Sequence, residues 1–157
     1  MEALLASLIA VAGTLLGSVF TFAFQRRTSA QAEAFARAQH LRQERLTAYS
    51  AYAGAVTALK QATVLLWMRR QEDPDSSEAE TRQAFTECDR LGAATENARF
   101  RVQLLAEDRT LVALAASAFA AVGPIRSAPT RTALAACEQD LENALDAFIG
   151  AAAVQVH

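Results

Sequence analysis

Apolar and polar positions divide this chain into one long uncharged block followed by a series of amphipathic stretches. Residues 3–24, ALLASLIAVAGTLLGSVFTFAF, run for 22 positions without a charge. As a helix rising about 1.5 Å per residue, this block spans about 33 Å, which matches the hydrocarbon core of a bilayer. Its polar members, Ser7, Thr14, Ser18 and Thr21, can bond their own helix backbone. The pattern predicts a transmembrane helix from Ala3 to Phe24. A core helix of a soluble protein is usually shorter. A cleaved signal peptide should open on basic residues, whereas this chain opens on Met1-Glu2 and runs straight into Gln25-Arg26-Arg27.

Beyond the block the apolar period becomes helical. Thr28 to Glu72 contains one glycine, Gly54, and no proline. Tyr49, Tyr52, Val56, Leu59, Thr63 and Leu66 recur at alternating spacings of three and four, the mark of a packed helix face. The stretch before them, with Phe35, Leu41 and Leu46 among alanines, glutamines and arginines, reads as a half-exposed stalk that enters a bundle near Leu41. Asp73-Pro74-Asp75-Ser76-Ser77 breaks the helix, and Ser77 is placed to cap the next one, with Glu78 and Glu80 in its first turn. That second helix should reach about Ala106, with Ala84, Cys88, Leu91, Thr95, Ala98, Val102 and Leu105 on one face. Asp108 caps a short third helix, Leu111 to Val122, which Gly123-Pro124 ends. A fourth runs from Thr130 to about Ala153, with a stripe of Leu134, Cys137, Leu141, Leu145 and Phe148. Short loops between such helices favour antiparallel neighbours. The expected fold is all-α: a single N-terminal transmembrane helix continues into a long helix that packs with three further helices as an antiparallel bundle. The divisions are an anchor over 1–25, a basic juxtamembrane stalk over 26–45 and a bundle over 46–157.

Composition agrees with helices. Alanine makes up about a quarter of the chain, and aromatics are 7%. The net charge of −2 conceals an asymmetry. Gln25 to Arg45 carries five arginines, including Arg26, Arg27 and Arg37, against two glutamates; Gln71 to His157 carries 14 acids against 7 arginines. A basic segment beside an apolar one faces lipid headgroups more often than nucleic acid. The arginines after the block and Glu2 before it orient the span by the positive-inside rule, with the N-terminus outside and the bundle in the cytoplasm. The expected location is the plasma membrane, and the first partner is the lipid bilayer.

Few residues suggest chemistry. His40 and His157 are far apart and lack metal-ligand spacing. Cys88 and Cys137 fall on apolar stripes, where free cysteine packs as a small hydrophobe. No phosphate loop or paired catalytic group is present, so no enzymatic activity and no cofactor are expected, and direct contact with nucleic acid is not favoured. Three features could be interaction sites. Ala3, Ala6, Ala10, Gly13 and Gly17 form a small-residue stripe that suits helix association in lipid, hence a homodimer or homo-oligomer; alanine-rich segments also produce such stripes by chance. Arg26, Arg27 and Arg37 suit anionic headgroups or DNA phosphate, or serve only as topology anchors and stalk solvation. Trp67, Arg69 and Arg70 could be a partner-binding edge, since Trp and Arg dominate interface hot spots. Alternatively, Trp67 packs over the end of the bundle and leaves the arginines exposed.

The opening SLIAVAGTLLGSVFTFAFQRR, the following LRQERLTAYSAYAGAV, then WMRRQEDPD and RFRVQLLAED, resemble the small actinobacterial proteins of KilB type over roughly residues 7–112. The resemblance implies a membrane-associated protein that aids the spread of conjugative plasmids through the Streptomyces mycelium and harms the cell when uncontrolled. It implies no catalytic residues. A membrane-tethered adaptor or envelope scaffold without a DNA-transfer role is the alternative that the residues themselves leave open.

Overall fold

Five helical elements form in the order that the caps dictate. The structure, a computed structural model, describes the backbone of residues 2–71 and 77–156, and the side chains of 32, 33, 35–71 and 77–156. Helix α1 spans Glu2–Gln71, α2 Glu78–Leu105, α3 Arg109–Ala120, α4 Gly123–Arg126 and α5 Arg131–Val156. All described residues outside these helices lie in turns or short connections, and none is in a strand.

The starts are set locally. Ser77 and Glu80 form a reciprocal capping box: the Ser77 hydroxyl accepts from the Glu80 N–H at 3.2 Å, and the Glu80 carboxylate accepts from the Ser77 N–H at 3.0 Å. Asp108 accepts from the Thr110 N–H at 2.8 Å at the start of α3, and the Thr130 hydroxyl accepts from the Ala133 N–H at 3.1 Å at the start of α5. One element departs from the expectation. Gly123-Pro124 does not simply end α3; Pro124 sits in the first turn of α4, where its fixed φ suits a helix and its missing N–H costs nothing. That single turn buries Ile125 completely.

The chain divides into two compact units, 1–41 and 42–157. In the first, every described side chain from 32 onward is exposed, and Arg37 donates to the Glu33 carbonyl of its own helix at 3.3 Å. The second unit is the bundle. Its helix directions follow from pairs of residues that meet. Arg45 meets the Leu105 carbonyl, Thr95 the Ala55 carbonyl and Arg69 the Glu80 carbonyl, so α1 and α2 run antiparallel. Tyr49 meets Gln155, Lys60 meets Glu142 and Trp67 meets the Ala128 carbonyl, so α5 is antiparallel to α1 as well.

The core forms where these helices converge. Tyr52 and Val56 of α1, Val102 of α2, Leu111 of α3, Ile125 of α4 and Leu141 and Phe148 of α5 are buried together. Tyr52 meets the Phe148 ring edge-on at 5.0 Å, the arrangement that ring quadrupoles favour, and its hydroxyl donates to the Ala115 carbonyl. A satellite cluster of Leu66, Ala84 and Cys88 joins α1 to α2. Among the described residues, Arg109–Arg126 is long and apolar enough by length and composition to cross a membrane, with a mean hydropathy of 1.2. Within it Leu111, Ala115, Ala118 and Ile125 are buried in the bundle, and 28% of the stretch is buried in all.

Candidate functional site

The proposed partner edge at the end of α1 separates into buried and exposed parts. Trp67 is 3% exposed and sits in the core, where its indole N–H donates to the Ala128 carbonyl at 2.7 Å. Its flat apolar body and single donor suit that closed site, so Trp67 packs within the bundle and does not present its ring at the surface. Arg69 is half-buried and donates to the Glu80 carbonyl in the first turn of α2, at 2.9 Å. Arg70 remains exposed and lines a shallow groove of ≈ 330 Å³ with Leu66, Glu78, Thr81, Arg82 and Phe85. In that groove Arg82 pairs with Glu78 at 2.7 Å, and the Arg126 guanidinium lies 5.4 Å from the centre of the half-exposed Phe85 ring. Of the three expected residues, the surface therefore keeps Arg70. Phe85 and Arg126, which the sequence reading passed over, join the same surface because α2 and α4 are adjacent.

The basic series behaves in a way that sequence spacing does not reveal. Arg42 donates through Nε to the carbonyl of Val156, the last residue of α5. Arg45 donates through Nε to the carbonyl of Leu105, the last residue of α2, at 3.0 Å, and pairs with Glu107 at 2.6 Å. Neither α2 nor α5 has a basic residue in its own last turn. Helix C-termini carry partial negative charge and unpaired carbonyls, and α1 supplies the missing cations from outside. Arg37 stays with its own helix. Arg26 and Arg27, the anchor limits Ala3 and Phe24, and the stripe Ala6, Ala10, Gly13 and Gly17 have side chains outside the described residues.

A larger groove of ≈ 580 Å³ runs between α2 and the α3–α4 junction, lined by Thr63, Cys88, Asp89, Gly92, Phe119 and Arg126, among others. Arg126 and Asp89 face each other at 3.8 Å, and both are partly exposed. Nearby, Arg99 lies over the rings of Phe100 and Phe119 at 5.0 and 5.9 Å. Its Nε is the single buried side-chain polar atom among the described residues that has no hydrogen-bond partner. Burial pushes the Cys88 thiol up, against a smaller downward pull from the Thr63 hydroxyl. This is the reverse of what an activated nucleophile needs. Cys137 is half-buried, and both cysteines are free thiols. Among the described residues no group of three or more His, Cys, Asp or Glu side chains could hold a metal ion.

Residues 46–156 match the family model of the KilB plasmid transfer protein, which covers well over half of the chain and nearly all of the bundle. No curated protein and no solved structure matches the chain.

Proposed function

This chain belongs to the KilB plasmid transfer protein family, and on that premise we propose that it is a membrane-anchored, non-enzymatic accessory protein of conjugative plasmid transfer. The observation that carries the reading is the family match itself, which falls on the bundle and ties residues 46–156 to a plasmid-transfer-related role. The anchoring part rests on the sequence: 22 uncharged positions, long enough to span a bilayer, followed at once by Arg26-Arg27. In this reading residues 3–24 cross the plasma membrane once, with the N-terminus outside. The bundle then gathers a protein partner at the cytoplasmic face, and the small-residue stripe pairs two copies in the bilayer.

The polar side chains support a role in holding structure over one in catalysis. Tyr52, Trp67 and Thr95 bond backbone carbonyls across helix boundaries, and burial pushes the Cys88 thiol away from ionisation. Direct contact with DNA is not part of the proposal. Gln71 to His157 carries 14 acids against 7 arginines, and phosphate backbones require the opposite balance.

Deleting the gene from a transferring plasmid or its host, then scoring plasmid transfer and spread, tests the role. The full chain should restore both. A chain lacking residues 1–25 should fold, remain in the soluble fraction and fail to restore them. If that truncated chain complements fully, anchoring is not part of the function. If loss of the gene leaves transfer and spread unchanged, the transfer role is wrong and a general tethered adaptor takes its place. Fractionation checks the anchor separately: the full chain should leave the membrane pellet only with detergent.

A further inference from the structure

We propose that the last two turns of α5, from Gly150 to Val156, form a strap that is latched to α1 by Arg42 and Tyr49 and can undock while the rest of α5 stays in place. The two parts of α5 are held unequally. Leu134, Leu141 and Phe148 are buried and fix the helix by apolar packing. Among the described residues after Phe148, Ala152 is buried, Ala151 and Val156 pack partly buried against the core, and Val154 is 78% exposed. Gly150 stands between the two parts. A Cβ added there meets no heavy atom within 4 Å, so the bundle does not need a glycine for space. Its effect is to lower helix propensity where the large buried side chains of the helix end.

Beyond these small apolar contacts, what holds the strap is polar and comes from α1. Arg42 donates to the Val156 carbonyl, and the Tyr49 hydroxyl donates to the Gln155 side-chain oxygen at 3.0 Å. Arg42 is exposed, so water and salt compete directly for its guanidinium. The neighbouring clasp differs. Arg45, one turn along α1, holds the end of α2 through the Leu105 carbonyl and Glu107, and its side chain is only 13% exposed. One helix end is therefore locked under cover and the other is held by an open latch. Release of the strap frees the Tyr49 hydroxyl, which is held by Gln155 when it is docked. Any event on α1 that withdraws Arg42 is passed in this way to the opposite end of the sequence.

Hydrogen exchange of the full chain, read by mass spectrometry, tests the strap. In the wild type, 150–156 should exchange at least tenfold faster than 141–148, and faster again as salt is raised. Arg42→Gln should speed exchange of 150–156 several-fold and leave 141–148 unchanged. Gly150→Ala should slow it. Arg45→Gln should affect 102–107 and not 150–156. Unchanged exchange of 150–156 in Arg42→Gln overturns the proposal. Protection of 150–156 equal to that of 141–148 in the wild type overturns it as well. If Arg42→Gln unfolds the chain, seen as lost protection at 141–148, Gly150→Ala decides: slower exchange at 150–156 supports the strap and no change overturns it.

Discussion

The indole N–H of Trp67 donates to the carbonyl of Ala128, 2.7 Å away, and ties the end of α1 to the turn that leads into α5. Both residues are buried, so neither group can turn to water if the other is lost. Trp67→Phe keeps most of the apolar area but leaves the Ala128 carbonyl unpaired, and it should cost about 1–3 kcal/mol. Trp67→Ala adds a cavity and should cost about 3–5 kcal/mol. Arg70→Ala, at the exposed end of the same turn, should stay within about 0.5 kcal/mol. Urea unfolding of the three variants checks the order. The comparison also guards any partner capture: a partner lost in Trp67→Ala reports unfolding, whereas one lost in Arg70→Ala reports the surface.

Tyrosine ionisation should be delayed in the folded chain. The chain has two tyrosines, both buried on α1. Burial raises both, Tyr49 by an amount partly offset by Arg45, and Tyr52 to about 12, partly offset by Arg99. The unfolded chain ionises its phenols near 10 and the folded chain holds its protons longer. The stability that Tyr52 contributes is therefore fully present below pH 10 and is lost as pH rises from about 10 to about 12. Absorbance titration should show phenolate near pH 10 in denaturant and later in buffer. Coincident titrations in the two solvents would contradict the buried positions.

Gly92 interrupts α2 near its middle, and a Cβ there meets no heavy atom within 4 Å. Gly92→Ala should therefore stabilise the bundle by about 0.5–1 kcal/mol through helix propensity and reduced freedom of the unfolded chain. A rise in the urea midpoint without a change in slope would confirm it. A fall would mean that the wall of the groove between α2 and the α3–α4 junction is tighter than its geometry.

The two thiols should differ in reactivity. Cys88 is 1% exposed, and burial raises its pKa, whereas Cys137 is partly exposed. A thiol reagent near pH 8 should modify Cys137 in the native protein and Cys88 only after unfolding. Equal rates at both positions would show that the satellite cluster around Leu66, Ala84 and Cys88 opens readily.

The KilB resemblance was legible in the residues, and the family match over 46–156 agrees with it. Helix positions were also legible, because their causes are local. Ser77 and Glu80 lie three residues apart and cap each other, Asp108 caps α3 two residues on, and the stripe from Tyr49 to Leu66 repeats with the helical turn. These signals need only neighbours in sequence. The turn at Gly123–Arg126 differs from the expectation because proline ends one helix and suits the first turn of the next equally well.

The sequence by itself determined an all-helical chain with a long uncharged block at one end, and where the long helices of the bundle begin and turn their apolar faces. Only the tertiary structure decided what those faces meet. Trp67 beside two arginines fits an exposed edge or a buried anchor, and the carbonyl that settles the matter, Ala128, lies far along the chain. Arg42 and Arg45 read as part of a basic stalk, yet they cap α5 and α2 through backbone carbonyls, groups that every residue possesses and no spacing can flag. Periodicity fixes a direction on a helix; the partner in that direction is a property of packing.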